Sequence, residues 1–96
     1  MKKTPFKIFV FDNGFIMIGQ EMNREQNRKN GYILLNYCFN IRRFHNGKGL
    51  GSLANSFTSD DATLDFVGCT EHLLSKFNYS IDLNFEFNVD YWLPKN

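Results

Sequence analysis

A short basic and glycine-rich segment holds most of the residues in this chain that could bind a ligand. Arginine carries a planar fork that suits phosphate oxygens, and lysine supplies a mobile positive charge. Glycine lets backbone N–H groups approach a ligand closely, because a positive φ costs it little. These residue types together predict an anion-binding site. The seven candidate ligand-binding residues are Arg42, Arg43, Phe44, His45, Gly47, Lys48 and Gly49.

Each residue type in this segment has an expected role. The cations Arg42, Arg43 and Lys48 would bind phosphate oxygens, and the two candidate glycines would present backbone N–H groups. The ring of Phe44 or of His45 would contact a base. The alternative is that the cations lie in solvent, where they contribute little, and that the aromatic ring packs in the core. Both interpretations stay open at this point.

Catalytic and metal-binding patterns are not visible in the sequence. The two histidines, His45 and His72, and the two cysteines, Cys38 and Cys69, lack the close spacings of zinc sites. No nucleophile is paired with a base in a recognisable motif. We therefore expect no catalytic residue, no metal and no cofactor, although a strand-rich fold could still bring the two histidines together. Both cysteines are expected to be buried thiols in a reducing cytoplasm.

Length and composition limit the domain count and the class of partner. Residues 1–96 are expected to form a single small domain. The net charge of +1 argues against a nucleic-acid duplex as the partner, because duplex-binding domains are usually strongly basic. The chain is 43% hydrophobic and contains eleven Phe, which is more apolar surface than so short a chain easily buries. We expect a homo-oligomer, with a tetramer as the first guess, and no contact with a membrane.

The hydrophobic pattern predicts a mainly β protein. Asn13-Gly14 between two apolar runs predicts a hairpin, and strict alternation from Phe77 to Tyr91 predicts a long last strand. The polar stretch 23–30 is expected to be a solvated connection. The expected fold is a small, strongly bent antiparallel sheet or barrel of about five strands, with one short helix near residues 49–55. The predicted strands are 6–11, 15–20, 31–41, a short one near 70–74, and 77–91.

The central segment also resembles a family of short phage and prophage proteins. The matching residues run from Arg42 to Ala54 and continue at Thr63-Leu64-Asp65 and Gly68. The family has Arg-Arg-Trp-Gly-Thr-Thr-Lys-Gly-Leu-Gly-x-Leu-Ala followed by Thr-Val-Leu-Asp, so this chain departs from it at residues 44–47. The family is similar to anti-CBASS sponges. The resemblance implies a non-enzymatic phage protein for immune evasion, which sequesters a cyclic dinucleotide in the cytoplasm of the infected bacterium.

A second resemblance involves the first half of the chain. A strand, an Asn-Gly turn, a returning strand and Gly19 are similar to the opening of an Sm-like small barrel. This resemblance implies an oligomeric protein that binds single-stranded RNA. A polymer needs several cations along its path, and the near-neutral charge of this chain makes nucleic acid the less favoured partner.

Overall fold

Five strands, three short α-helices and one 3-10 turn account for the regular secondary structure of the described residues. The computed structural model describes residues 5–45, 49–55, 58 and 61–94, without the side chains of residues 52, 53 and 55. The elements are β1 (Phe6–Phe11), β2 (Ile16–Met22), α1 (Arg24–Lys29), β3 (Tyr32–Phe44), α2 (Leu50–Asn55), β4 (Ala62–Leu73), a 3-10 turn (Leu74–Lys76), β5 (Phe77–Asp82) and α3 (Val89–Trp92).

The strands form one antiparallel sheet in the order β4-β3-β2-β1-β5. The edge strands β4 and β5 are joined by the three-residue turn Leu74–Lys76. In a flat sheet these edges would be about 19 Å apart, whereas the four Cα steps across the turn span at most about 14 Å. The sheet therefore bends strongly. The predicted mainly β fold is confirmed, as a bent open sheet and not as a barrel, because β4 and β5 do not pair.

The predicted hairpin between β1 and β2 is also confirmed. Gly14 has a φ of +86°, which glycine adopts without a steric penalty. The N–H of Phe15 donates to Asn13 Oδ1 at 3.1 Å, and the N–H of Phe11 donates to the carbonyl of Phe15 at 3.0 Å. Local turn chemistry alone is sufficient to place this reversal of the chain.

Residues 23–30 form the expected connection between β2 and β3 and contain no buried residue, but they fold as helix α1, which was not predicted. A six-residue helix is too short to be stable alone in water. Tertiary contacts hold it, because the Arg28 guanidinium donates to both carboxylate oxygens of Glu21 at 2.7 and 2.8 Å. The same guanidinium lies 5.1 Å from the ring centroid of Phe77. The hydrogen bond to the carboxylate of Glu21 raises the pKa of Arg28.

The predicted last strand is too long, because β5 ends at Asp82. Residues 83–93, here called the C-terminal arm, turn back over the sheet instead. Phe87 is only 5% exposed, and its ring lies 5.0 Å from that of Phe6 and 5.5 Å from that of Phe39. Burying these apolar side chains stabilises the fold more than leaving them on an extended, exposed strand would. The second half of the predicted strand therefore covers its own sheet.

Strand β4 is longer than the short strand predicted near residues 70–74. It runs for twelve residues and pairs with β3 along most of its length. Its alternation is broken by a bulge at Val67, next to Gly68 with a φ of +84°. The irregular pattern hid the strand because a bulge shifts the following side chains to the other face.

Apolar side chains form two separate buried clusters. The C-terminal arm and α2 pack against the first cluster, whose buried members are Ile8, Ile18, Phe39, Ile41, Ala62 and Phe87. The second cluster contains Phe9, Phe11, Met17, Ile33, Leu35 and Cys38. Burial raises the pKa of the Cys38 thiol to about 11, whereas Cys69 is exposed, so the prediction of two buried cysteines holds only for Cys38. No helix in the described part of the chain is long and apolar enough to cross a membrane.

Candidate functional site

A bulge near the end of β3 exposes two consecutive arginines. Ile41 pairs with Leu64 and Arg43 pairs with Thr63, so Arg42 is an extra residue in β3. A bulge interrupts the alternation of side chains between the two faces. Ile41 is therefore buried while the next two residues are both exposed. In a regular strand, consecutive residues would point to opposite faces of the sheet.

The two arginines differ in their partners. Arg42 Nε lies 3.0 Å from Asp65 Oδ2, and the two side chains are 62% and 43% exposed. An exposed ion pair of this kind adds about 0–1 kcal/mol to stability, but it offsets the positive charge of Arg42. Arg43 has no ion-pair partner among the residues that the structure describes. Arg43 is thus the more available cation for an anionic ligand.

His45 is fixed in place beside Arg43 by two hydrogen bonds. Its backbone N–H donates to the carbonyl of Asp61 at 2.8 Å. Its Nε2 forms a hydrogen bond of 2.7 Å with Thr63 Oγ1. Thr63 is also the pairing partner of Arg43 in the sheet. His45 is therefore anchored on the residue that lies opposite Arg43 in β4.

The other candidate residues differ in their surroundings. Phe44 is half-buried and packs against the first core cluster, which favours a packing role for its ring. Gly49 is exposed and directly precedes α2, and no heavy atom lies within 4 Å of the position that a Cβ would take there. Gly47 and Lys48 lie outside the described residues. The predicted helix near 49–55 is confirmed as α2.

Two further residues, which were not among the seven candidates, belong to this site. Thr63 anchors His45, and Asp65 pairs with Arg42. The available signal was their place in the Thr63-Leu64-Asp65 segment of the phage-family resemblance. Spacing alone could not reveal them, because they lie about 20 positions from their partners and meet them only through β3–β4 pairing.

The two histidines are not brought together. His72 pairs with Ile33 and lies nine residues from Thr63, which is about 30 Å along β4. Its ring stacks on that of Phe11 at 4.3 Å, and its Nε2 forms a hydrogen bond of 2.9 Å with Thr70 Oγ1. Within the described residues, no three His, Cys, Asp or Glu side chains cluster as metal ligands would.

His72 gives the fold a pH dependence whose sign is fixed by its burial. Burial lowers the pKa of His72 from the ordinary value of 6.5, so the unfolded chain takes up a proton at a higher pH than the folded chain. The free energy of unfolding should therefore fall as the pH drops from about 6.5 towards the pKa of the folded state. Urea denaturation between pH 7.5 and 5.5 measures this loss.

The control for this prediction is His72→Phe, which keeps a ring against Phe11 but cannot take up a proton. This variant should lose most of the pH dependence between pH 7.5 and 5.5. An unchanged slope in His72→Phe, or a wild-type protein equally stable at both ends of this range, would contradict the assignment.

Comparisons with known proteins do not assign this chain to a family. No protein-family model, no curated protein and no solved structure matches it. The candidate site is therefore defined by Arg43, His45 and the β4 residues that surround them.

Proposed function

We propose that this protein is a phage anti-defence sponge, which binds a cyclic dinucleotide second messenger without cleaving it. The observation that carries this proposal is the exposed Arg43, which has no ion-pair partner among the described residues, beside the anchored ring of His45. Arg43 binds a phosphate of the ligand, and His45 contacts a base. The protein acts in the cytoplasm of the infected bacterium, where the messenger is produced.

The chemistry of phosphate binding supports this assignment. A guanidinium donates charge-assisted hydrogen bonds to phosphate oxygens, and its planar fork fits two of them at once. Arg42 adds a second positive charge next to Arg43, although Asp65 already pairs with it. A bound phosphate would therefore interact most strongly with Arg43 and compete with Asp65 for Arg42.

Capture rather than turnover is the proposed activity. Cleavage of a phosphodiester at neutral pH requires an activated water or a positioned acid–base pair. Beside Arg43, the imidazole of His45 is the candidate proton acceptor, and its Nε2 is already bonded to Thr63. The second histidine lies about 30 Å further along β4. A lone anchored imidazole is better suited to hold a ligand than to cleave it.

Ligand bound by this protein should consequently be recovered intact. The experiment is overnight incubation with a cyclic dinucleotide, with and without divalent metal, followed by heat denaturation and chromatography of the released nucleotide. Quantitative recovery is the expected result. Linear dinucleotide or mononucleotide above the level in a sample denatured beforehand would show that the protein is an enzyme.

The exposed apolar surface supports a homo-oligomer, with a tetramer as the first guess. Half of the exposed large apolar side chains in the described residues lie on the two edge strands, where backbone groups are also unpaired. Light scattering at micromolar concentration should return a multiple of 11.3 kDa, and a value of 11.3 kDa would contradict the proposal. The eight exposed side chains are Phe15, Tyr32, Tyr37, Phe66, Val67, Leu73, Tyr79 and Tyr91.

The second candidate function is that of an Sm-like oligomer that binds single-stranded RNA. The bent five-stranded sheet, with its edge strands joined by the turn Leu74–Lys76, favours this alternative. A thermal-shift comparison separates the two functions, because a ligand at a hundred times its dissociation constant stabilises the fold by about 2.7 kcal/mol. Stabilisation by cyclic dinucleotide and not by oligo-RNA supports the sponge, and the reverse result supports the alternative.

A further inference from the structure

An open groove is lined by the C-terminal arm, the start of β1 and the middle of β3. Its volume is about 1080 Å³, close to the upper end of the roughly 300–1,000 Å³ that small-molecule sites occupy. Neither Arg42 nor Arg43 lines it, so it is distinct from the candidate phosphate site. The lining residues that matter for its chemistry are Phe6, Gln20, Tyr37, Phe85, Glu86 and Asp90.

Tyr37 holds an unusual position in the wall of this groove. Its φ is +49°, in the left-handed region that residues with a Cβ seldom adopt. The conformation belongs to a bulge in β3, and the N–H of Tyr37 donates to Asn36 Oδ1 at 3.0 Å. Tyr37 is 46% exposed, so part of its side chain remains accessible to a ligand. Sparsely populated backbone conformations of this kind are found most often at active sites and ligand-binding sites.

The neighbouring strand keeps this bulge in place. Gly19 is buried opposite it, and a Cβ at Gly19 would lie only 3.3 Å from the carbonyl oxygen of Asn36 and from Leu35 Cβ. Glycine at this position therefore allows β2 and the bulged part of β3 to approach closely. The ring of Tyr37 is thus presented by a part of the sheet that is already fixed.

Within the part of the chain that the structure describes, the charged residues that line the groove have one sign. Glu86 and Asp90 both line it, and no described lysine or arginine does. Neither carboxylate takes part in an ion pair within the described residues. Aromatic faces attract cations, and they do so more strongly where water is partly excluded. Two carboxylates beside aromatic and apolar walls therefore suit a positively charged ligand with an apolar body, and they disfavour a phosphate.

We propose that this groove binds a small organic ammonium ion. The ring of Tyr37 contacts the cation, Glu86 and Asp90 offset its charge, and the rings of Phe6 and Phe85 contact its apolar part. This site uses none of the residues of the nucleotide site. Either proposal can therefore fail while the other stands.

Titration with two probes of the same shape tests the charge requirement. Calorimetry or NMR should show that 2-phenylethylammonium binds the wild-type protein at least about fivefold more tightly than neutral 2-phenylethanol, and that added salt weakens the binding. The double variant Glu86→Gln with Asp90→Asn should lose this preference. Equal affinity for the two probes, no binding of the ammonium probe at millimolar concentration, or an unaffected double variant would overturn the proposal.

A pair of tyrosine variants tests the aromatic contact. Tyr37→Gly should weaken binding of 2-phenylethylammonium roughly two- to thirtyfold. It should not lower the Tm, because glycine tolerates the positive φ. Tyr79→Gly is the matched control, since Tyr79 is 47% exposed but lies in β5 outside the groove. This control should lower the Tm and leave the affinity unchanged.

Unchanged affinity in Tyr37→Gly, or an equal loss in Tyr79→Gly, would overturn the role of Tyr37. The carboxylate variant keeps the strained tyrosine and reports on the groove even if Tyr37→Gly does not fold. Arg43→Ala should bind the ammonium probe as the wild type does. A loss there would overturn the separation of the two sites.

Discussion

Arg43→Ala should weaken the binding of a cyclic dinucleotide roughly ten- to over a hundredfold. A charge-assisted hydrogen bond from a guanidinium to a phosphate typically contributes about 1.5–3 kcal/mol. Arg43 is exposed and has no ion-pair partner among the described residues. Its removal should therefore weaken the complex without lowering the stability of the free protein. Calorimetric titration of the wild type and the variant measures the ratio of dissociation constants.

Two further variants serve as controls for Arg43→Ala. Lys29→Ala removes an exposed cation from α1 and should leave the affinity unchanged. Arg42→Ala should cost less than Arg43→Ala, because Arg42 is already paired with Asp65 at 3.0 Å. Equal affinities for Arg43→Ala and Lys29→Ala would return Arg43 to the class of solvated surface cations.

Phe87→Ala should destabilise the fold by about 3–5 kcal/mol, the usual cost of removing a buried aromatic ring. Phe87 is 5% exposed and contacts Phe6 and Phe39, so its ring joins the C-terminal arm to the first core cluster. A loss of this size is a large part of the total stability of a small domain. Urea denaturation followed by circular dichroism measures it.

Phe15→Ala is the matched control for Phe87→Ala. Phe15 is 49% exposed and lies beside the β1–β2 turn, and its loss should change the stability by no more than about 0.5 kcal/mol. If Phe87→Ala lowered the free energy of unfolding by as little as Phe15→Ala is expected to do, the arm would not cover the core. The groove assigned to the ammonium ligand would then lose one wall.

Strict alternation of apolar and polar residues was not enough to determine the structure of the C-terminal arm. Alternation from Phe77 to Tyr91 is equally compatible with a strand and with a segment that lays one apolar side on a sheet. The choice depends on whether an apolar surface is available elsewhere in the chain. Here the first core cluster supplies that surface, and the Asn84 N–H also donates to the carbonyl of Ala54 at 2.7 Å.

Helix α1 was not predicted from the sequence for a related reason. Residues 23–30 carry no apolar face, so periodicity gave no signal for a helix. The contacts that hold the helix, from Arg28 to Glu21 and to Phe77, join positions that are 7 and 49 residues apart. Interactions over such separations exist only after the strands have assembled.

The sequence by itself determined the features of this protein that depend on neighbouring residues. The Asn13-Gly14 turn, the five-stranded antiparallel composition and the helix α2 all follow from local backbone preference and side-chain periodicity. It also singled out Arg42 to His45 as candidate ligand-binding residues. Only the tertiary structure decided which of these residues can act together. Pairing of β3 with β4 creates the bulge at Arg42, places Asp65 against it and anchors His45 on Thr63, because strand register depends on contacts between distant parts of the chain.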